Sequence, residues 1–191
     1  MRLRLVREPF DHPDYIFELK HDGFVAVVYL QARECKIISR NQRNLGFESL
    51  KKALAKLPVE TAIPDGEIVC LDGKGVSQFN QLLSRKVEPV FCAFDLLWLD
   101  GEDLRLAPLV ERKKRLARLV RAAKCPRLLY AQHIEQHGKN FFAEICARHL
   151  EGIVAKRKLG IYKDDGNTWL KVKNRTYSQT EGRHELLTRG R

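Results

Sequence analysis

Apolar and polar positions alternate along this chain with two periods, one typical of strands and one typical of helices. The strand pattern predicts strands at residues 15–19, 24–30, 34–39, 68–71, 90–97 and 152–156. Longer segments repeat their apolar side chains with a helical period at residues 47–57, 109–123 and 139–149. No internal repeat and no linker rich in proline, glycine or serine interrupts the pattern. The sequence therefore predicts one domain that mixes helices and sheets.

The first two predicted strands lie on either side of Asp22-Gly23. An Asp-Gly pair between two apolar runs is a strong signal for a tight turn that joins antiparallel strands. We therefore expect residues 15–19 and 24–30 to form a hairpin. Pro58 marks the end of the helix predicted at residues 47–57, because proline does not continue a helix.

Residues 109–123 form the clearest helix in the sequence. Its apolar stripe consists of Leu109, Leu116, Leu119 and Val120. The remaining faces carry six basic residues, which are Arg112, Lys113, Lys114, Arg115, Arg118 and Arg121. A basic helical face contacts DNA phosphates in some proteins and is simply hydrated in others. We favour a hydrated surface, the more common role of charge runs.

The composition is that of a globular, positively charged protein. The chain has 191 residues, of which 44% are hydrophobic and 31% are charged, so it can bury a core. No apolar run approaches the roughly 18 residues that span a bilayer, and charges interrupt the basic start before a signal segment can form. We therefore expect a cytoplasmic protein without membrane contact. The net charge of +11 favours phosphate-rich partners such as nucleic acid, although many basic proteins have none.

Cysteine and histidine spacing argues against a disulfide framework and against a structural zinc site. The five cysteines include no Cys-x-x-Cys pair, so we expect reduced, mostly buried thiols. His133 and His137 lie four residues apart and can share a helical face, but no third ligand is close in sequence. We therefore assign these histidines no metal role.

The residues that could bind a ligand or take part in a reaction are concentrated in six short blocks in a fixed order. The blocks are Glu-Leu-Lys-His-Asp-Gly at 18–23, Ser-Arg-Asn at 39–41, Asp-Gly-Glu at 65–67, Phe-Asp-Leu-Leu at 94–97, Glu-Gly-Ile-Val-Ala-Lys at 151–156 and Trp-Leu-Lys-Val-Lys at 169–173. Each block alone is common in unrelated proteins. In this order and spacing they resemble the nucleotidyltransferase motifs of the ATP-dependent DNA ligases, over about residues 10–174.

This resemblance implies an α+β fold, the ATP-grasp-like nucleotidyltransferase fold of a DNA ligase adenylation domain, built on antiparallel sheets with flanking helices. It places the adenylation domain at residues 1–175 and a polar C-terminal tail at residues 176–191. Ligases of this family continue into an OB-fold, and the 18 residues after Lys173 are too few for such a five-stranded barrel. Residues 177–187 are similar to a segment of small, stand-alone ligase-like proteins, so we expect a single-domain form with no OB-fold, although a piece of a longer ligase would show the same sequence features.

Lys20 is the candidate nucleophile. A free lysine amine, with an ordinary pKa of about 10.4, is protonated at neutral pH and does not attack phosphorus. Burial and neighbouring cations lower such a pKa, and Lys171 and Lys173 alternate on one predicted strand face, where both can point at one phosphate. The resemblance implies that Lys20 attacks the α-phosphorus of ATP and carries AMP, while Lys171 and Lys173 stabilise the charge.

The resemblance assigns the other motif residues to ATP and to a metal ion. The expected ATP-binding residues are Glu18 at adenine, Arg40 at the ribose and phosphates, Glu67 at the ribose hydroxyls, Phe94 against the adenine face, and Lys156 near adenine and the phosphates. Glu151 is the expected ligand of Mg²⁺ or Mn²⁺, hard ions that prefer oxygen.

One position departs from the family pattern. That pattern usually reads Lys-x-Asp-Gly-x-Arg, with the arginine contacting AMP and the DNA end, and here the last position is Val25. Losing one charge-assisted hydrogen bond weakens the binding of a phosphate group by about 1.5–3 kcal/mol. We therefore expect an enzyme that is impaired at this position.

The resemblance predicts an ATP-dependent DNA ligase that seals nicked double-stranded DNA through a lysyl-AMP intermediate, with an OB-domain or repair protein as the kind of partner to expect. Two alternatives stay open. One is a degenerate or partner-dependent module that binds ATP or nicks without sealing them alone. The other is adenylyl transfer of the RNA ligase type, because RNA ligases and mRNA capping enzymes share the lysine motif.

Overall fold

The computed structural model of the protein describes residues 3–163 and 169–177. The strands within these residues are β1 Arg4–Leu5, β2 His12–Leu19, β3 Phe24–Gln31, β4 Glu34–Ser39, β5 Thr61–Val69, β6 Val90–Leu99, β7 Glu102–Asp103, β8 Leu128–Tyr130, β9 His133–Gln136, β10 Gly152–Arg157 and β11 Trp169–Lys173. The helices are α1 Glu48–Leu54, α2 Phe79–Ser84, α3 Leu109–Ala123 and α4 Gly138–Ala147. Of the tail predicted at residues 176–191, all but Thr176 and Tyr177 lies outside the described residues.

The strands form two sheets. The first sheet has the strand order β1-β11-β10-β2-β9, and the second has the order β4-β3-β5-β6-β7 with β8 beside β6. Paired strands run antiparallel, except that β1 is parallel to β11 and β8 is parallel to β6. The predicted α+β fold based on antiparallel sheets is confirmed.

Each sheet packs helices against one face. Leu50 of α1, Leu82 of α2 and Leu116 of α3 are buried in one cluster with the second sheet. Ile145 of α4 is buried with Phe17 in the first sheet. Because side chains alternate between the two faces of a strand, the residues next to these core positions face the space between the sheets. None of the described helices is long and apolar enough to cross a membrane.

The hairpin expected at Asp22-Gly23 is wrong. β2 pairs with β10 and β9 in the first sheet, whereas β3 pairs with β4 and β5 in the second. The residues between β2 and β3 therefore cross from one sheet to the other. Gly23 lies outside the left-handed region that a tight turn uses. It is required for space instead, because a Cβ atom at Gly23 would lie 2.1 Å from the carbonyl oxygen of Ile68 on β5.

Replacing Gly23 by alanine is expected to destabilise the fold by about 1–3 kcal/mol. The added methyl group meets the backbone of β5, which cannot move aside without disturbing its pairing with β3. Gly73→Ala is the control, since a Cβ atom there meets nothing within 4 Å. Urea unfolding followed by circular dichroism measures both free energies of unfolding. Equal stability of the two variants would contradict the close packing of the crossover.

Most other elements are close to prediction, with one difference that matters for the site. α3 begins and ends at the predicted residues, and so does β4. The strand predicted at 68–71 begins instead at Thr61, so Asp65 and Glu67 lie within β5 rather than ahead of it. β5 is an interior strand of the second sheet, between β3 and β6. Glu67 is therefore held on a rigid element with neighbours on both sides.

Two of the six basic residues on α3 are buried, which corrects the hydrated surface expected for them. Arg112 is 0% exposed and donates hydrogen bonds of 2.7 and 2.8 Å to Asp95 on β6, as well as bonds to two backbone carbonyls. Lys113 is 2% exposed and its ammonium bonds the carboxylate of Glu18 on β2. A cation is buried only where such a partner meets it. The periodicity of one helix does not reveal carboxylates on distant strands.

Among the described residues, the cysteines and histidines form no metal-binding arrangement. All five cysteines are within the described residues and none forms a disulfide, and Cys70 and Cys92 are buried. His133 lies in β9 and His137 precedes α4, so the helical face expected to carry both histidines is wrong. In the described part of the chain, no three His, Cys, Asp or Glu side chains are grouped so as to hold a metal ion on their own.

Candidate active site

A cavity of about 270 Å³ lies between the two sheets. Both sheets contribute strand residues to its wall. All nine residues predicted for catalysis, ATP binding and metal binding border it, and they are Glu18, Lys20, Arg40, Glu67, Phe94, Glu151, Lys156, Lys171 and Lys173. The structure thus brings the whole predicted set together around one space.

One part of the cavity is strongly cationic. Lys171 and Lys173 are two residues apart in β11 and therefore lie on the same face of the strand, as predicted. Burial lowers the pKa of Lys171, and the charge of Lys173 lowers it further. Lys20 and Arg40 act on that pKa in the same direction. Cations this close together favour an anionic ligand, because its charge relieves their mutual repulsion.

Lys20 follows the end of β2 and is held from two sides. Its backbone N–H donates to the carbonyl of Gly152 at 2.9 Å, and its Nζ lies 2.8 Å from Oε1 of Glu151. Glu151 is buried, and its second oxygen, Oε2, has no hydrogen-bond partner among the described residues. The sequence predicted only cations, Lys171 and Lys173, as neighbours of Lys20, so the contact with this carboxylate is an addition to the prediction. Any reaction in which the Lys20 amine is a nucleophile requires that it first leave this ion pair.

Glu67 reaches the same part of the cavity from the second sheet. Its Oε1 accepts the backbone N–H of Gly23 at 2.9 Å. Burial raises the pKa of Glu67 to about 7, with Lys20 opposing the rise and Glu151 adding to it. Near neutral pH the side chain can therefore donate as well as accept a hydrogen bond, which suits the hydroxyl groups of a ribose.

Another part of the cavity is aromatic. Phe94 and Trp169 meet edge to face, with their ring centroids 5.4 Å apart. The buried Nζ of Lys156 lies 4.2 Å from the centroid of Phe94 and 3.8 Å from that of Trp169. Aromatic faces next to a cation are well suited to a flat heterocyclic base. Trp169 was not among the predicted site residues, although it begins the last motif block.

Glu18 is buried beside these rings, between two lysines. Its Oε2 lies 2.6 Å from Nζ of Lys156, and its Oε1 bonds Lys113. Burial alone would raise the pKa of Glu18, but the two ammonium groups outweigh burial and hold the pKa below its ordinary value. Glu18 is therefore an ionised hydrogen-bond acceptor. Motif reasoning missed Lys113, because a lysine in a run of basic helical residues resembles ordinary surface charge.

His21, directly after Lys20, was also missed. Its Nδ1 lies 3.2 Å from the hydroxyl oxygen of Ser77, and its Nε2 lies 3.5 Å from the sulfur of Cys92. Burial lowers the pKa of His21 to about 4, so the ring is neutral at neutral pH. Its contacts anchor the crossover that carries Lys20 to the second sheet. Only its neighbours in the motif block had an expected role, so the sequence offered no signal for it.

Comparison with known proteins adds a decisive observation to this geometry. The family model described as the ATP dependent DNA ligase domain matches residues 4–173. The chain belongs to this DNA ligase family.

Relatives of this ligase domain include much longer proteins. The multifunctional non-homologous end joining protein LigD of Pseudomonas aeruginosa is 30% identical over 177 residues, which cover 88% of this chain and 21% of LigD. The SPbeta prophage-derived DNA ligase-like protein LigB of Bacillus subtilis is 27% identical over 187 residues, covering 94% of this chain and 68% of LigB. The structure of mycobacterial DNA ligase D complexed with ATP and MES matches with a TM-score of 0.74 and 27% identity, over 90% of this chain and 60% of that one. The ligase domain thus spans about a fifth of the first relative and about two thirds of the second.

Val25 of the ligase domain stands where the family pattern has arginine. It lies on β3 opposite Glu67 of β5 and borders the cavity. Arg40 lies beside it, because the backbone N–H of Arg40 donates to the carbonyl of Val25 at 3.3 Å. The side chain of Arg40 borders the same cavity. Arg40 is therefore the cation that neighbours the position of the replaced arginine.

Asp65 is expected to make the ligase domain less stable as the pH rises from about 4 to about 6. Its carboxylate accepts the hydroxyl of Tyr162 at 2.7 Å, and burial raises the pKa of Asp65 from 3.8 to about 6. Between these values the native state holds a proton that the unfolded chain has lost, so rising pH penalises the native state by on the order of 3 kcal/mol.

Asp65→Asn isolates this effect, because asparagine keeps an acceptor for Tyr162 but does not ionise. Urea unfolding from pH 4 to pH 6.5 gives the free energy of unfolding of both proteins. The free energy of unfolding of the variant, relative to that of the wild type, should increase steadily as the pH rises to about 6. A difference that stays constant over this range would refute the assignment.

Proposed function

We propose that this chain is an adenylation domain that forms lysyl-AMP at Lys20 and passes the AMP to a nick in DNA. The observation that carries the proposal is the composition of the cavity that Lys20 borders. Lys171 and Lys173 make one part of it cationic, and Phe94 makes another part aromatic. This combination is complementary to ATP, which joins three phosphates to a flat base through a ribose.

In the first step the amine of Lys20 attacks the α-phosphorus of ATP. The ammonium group loses a proton to water, a P–N bond forms, the bond to the bridging oxygen breaks, and pyrophosphate leaves. Lys171 and Lys173 stabilise the negative charge that collects on the phosphoryl oxygens. Arg40 and Glu67 hold the ribose and phosphates, and the base packs against the aromatic wall of the cavity, which Phe94 and Trp169 form.

Glu151 fits the role of a ligand for Mg²⁺ or Mn²⁺. Its Oε2 is buried without a hydrogen-bond partner in the described structure, and Mg²⁺ is commonly held by one or two carboxylates together with substrate phosphates. When bound, the ion neutralises charge on the phosphates. Glu151 therefore has one oxygen for the metal ion and one that holds Lys20 before the reaction.

The AMP then moves to DNA. An oxygen of the 5′-phosphate at a nick attacks the phosphorus of lysyl-AMP, and the P–N bond breaks. The adjacent 3′-hydroxyl next attacks the 5′-phosphate, forms the phosphodiester and releases AMP. The net charge of +11 supports binding to the DNA backbone, and a cytoplasmic location would supply the protein with ATP.

A second candidate is a domain that forms lysyl-AMP but seals nicks poorly without a partner. Val25 favours this candidate, because it removes one cation from the wall where the family pattern has an arginine that contacts AMP and the DNA end. An OB-domain or repair protein would then supply the additional contacts to DNA.

Nick sealing separates the two candidates. Duplexes with a labelled 5′-phosphate at a single nick, made in DNA or in RNA, are incubated with the protein, ATP and Mg²⁺ and resolved on a denaturing gel. We expect sealed DNA, formed faster than sealed RNA. Adenylated DNA that accumulates unsealed would support the partner-dependent domain. A DNA strand that is neither adenylated nor sealed would overturn the proposal.

Introducing arginine at Val25 is expected to speed the conversion of adenylated DNA to sealed DNA by about tenfold or more, since one charge-assisted hydrogen bond to phosphate contributes about 1.5–3 kcal/mol. Val27→Arg is the matched control, because Val27 shares the β3 face with Val25 but does not border the active-site cavity. Single-turnover sealing of pre-adenylated DNA measures the step. An equal gain from both variants would show a general charge effect and contradict the role of position 25.

A further inference from the structure

Lys113 of α3 has contacts that the proposed reaction does not use. Its buried ammonium bonds the carboxylate of Glu18, donates to the carbonyl of Ala131 at 3.0 Å, and lies 4.4 Å from the ring centroid of Tyr130. Burial pulls the pKa of Lys113 down, but Glu18, with smaller contributions from Tyr130 and Asp95, more than offsets burial and the pKa is raised. Lys113 is thus a permanent positive charge directly behind Glu18.

Glu18 connects Lys113 to the cavity, because it contacts Lys113 and also borders the cavity. It borders the cavity together with Phe94 and Trp169, and its two oxygens are held by Lys113 and by Lys156. An ionised carboxylate only accepts hydrogen bonds, and each oxygen has a further lone pair for a ligand. A base at the aromatic wall therefore meets an acceptor and no donor from Glu18.

We propose that Lys113 is a positioning residue that makes the cavity prefer a purine with a 6-amino group over a purine with a 6-oxo group. The inference rests on the proposed function, because the purine is the base of the nucleotide that adenylates Lys20. A 6-amino group donates a hydrogen bond and a 6-oxo group accepts one. The ionised Glu18 pairs with the first and repels the second.

Without the charge of Lys113, the carboxylate of Glu18 would be buried with Lys156 alone. Burial favours the protonated acid, and the O–H of the acid can donate to a 6-oxo group. Lys113→Met removes the charge while keeping a flexible, unbranched side chain. We expect the ratio of ATP affinity to ITP affinity to fall about tenfold, since a hydrogen bond to a charged group is lost on one side and a repulsion is removed on the other.

Isothermal titration calorimetry with ATP and with ITP tests this expectation on the wild type, Lys113→Met, Glu18→Gln and the double variant. If Lys113 acts through Glu18, the double variant has the same ATP-to-ITP ratio as Glu18→Gln alone. Lys114→Met, at the next and exposed position of α3, is the matched control and should keep the wild-type ratio. Lys113→Gln keeps hydrogen-bond donors and is the second variant, with the same expected fall, should Lys113→Met unfold in a thermal melt.

The rate of Lys20 labelling at increasing ATP concentration supplies a second readout. We expect Lys113→Met to raise the half-saturating ATP concentration about threefold, the part of the tenfold fall that comes from weaker ATP binding, and to change the maximal rate by less than about twofold. An unchanged ATP-to-ITP ratio in Lys113→Met or in Glu18→Gln would overturn the inference, whatever happens to the rate.

Failure of the proposed function would look different. A wild type that binds ATP in preference to ITP but never labels Lys20 would refute adenylation, and the ratios of the variants would still decide the role of Lys113. A wild type that binds neither nucleotide would overturn both proposals.

Discussion

Lys20→Ala is expected to reduce the transfer of AMP from ATP to the chain to background. The amine of Lys20 is the atom that forms the P–N bond in the proposed reaction, and alanine has no nucleophile to replace it. Lys20→Arg keeps a positive charge near Glu151, but a guanidinium group stays protonated and should be equally inactive. The measurement uses ATP labelled at the α-phosphate, with Mg²⁺, and a denaturing gel that detects label bound to protein.

Lys36→Ala is the matched control for this experiment, because Lys36 is an exposed lysine on β4 and does not border the cavity. It should be labelled like the wild type. Lys171→Ala should be labelled about 10² to 10³ times more slowly, the usual cost of removing one preorganised group that stabilises developing charge. Undiminished labelling of Lys20→Ala and Lys171→Ala would show that the assignment of the cavity is wrong.

Arg112→Met is expected to destabilise the fold by about 3–5 kcal/mol, the usual cost of removing one partner from a buried ion pair. Arg112 and Asp95 are both 0% exposed, so Asp95 would be left with a buried charge and no cation at its carboxylate. The variant would also leave two backbone carbonyls without the hydrogen bonds that the guanidinium donates. Urea unfolding monitored by circular dichroism measures the loss.

Arg118→Met is the control on the same helix, since Arg118 is exposed and most surface substitutions change stability by less than about 0.5 kcal/mol. The double variant Arg112→Met/Asp95→Leu should recover part of the lost stability, because apolar residues often replace a buried ion pair at little cost. A single variant as stable as the control would contradict the burial of this pair.

Local patterns in the sequence predicted most elements of the fold. The helical period from Leu109 to Ala123 contains no proline or glycine that would interrupt it, so α3 was predicted at its observed bounds. The same reasoning failed at Asp22-Gly23, because a turn signal reports local conformation and not the sheet in which each strand pairs. That pairing depends on contacts between β2 and β10, which are more than a hundred residues apart.

The candidate site was predicted from its motif residues, and the residues behind them were not. Lys20, Glu67 and Phe94 were found because they stand in blocks with a family pattern, and they meet at one cavity. Lys113 and Arg112 looked like surface cations, because the carboxylates that bury them lie on β2 and β6. A single sequence shows the charge of a side chain but not its distant partner.

The most direct test of the proposed chemistry is to find the atom that carries AMP. The wild-type protein is incubated with ATP and Mg²⁺, digested, and analysed by tandem mass spectrometry under conditions that preserve a P–N bond. We predict AMP on the peptide that contains Lys20, attached to the Lys20 side chain, and none on the peptide that contains Lys171 and Lys173. AMP on any other residue, or on none while ATP binding is intact, would contradict the proposal that this cavity forms lysyl-AMP at Lys20.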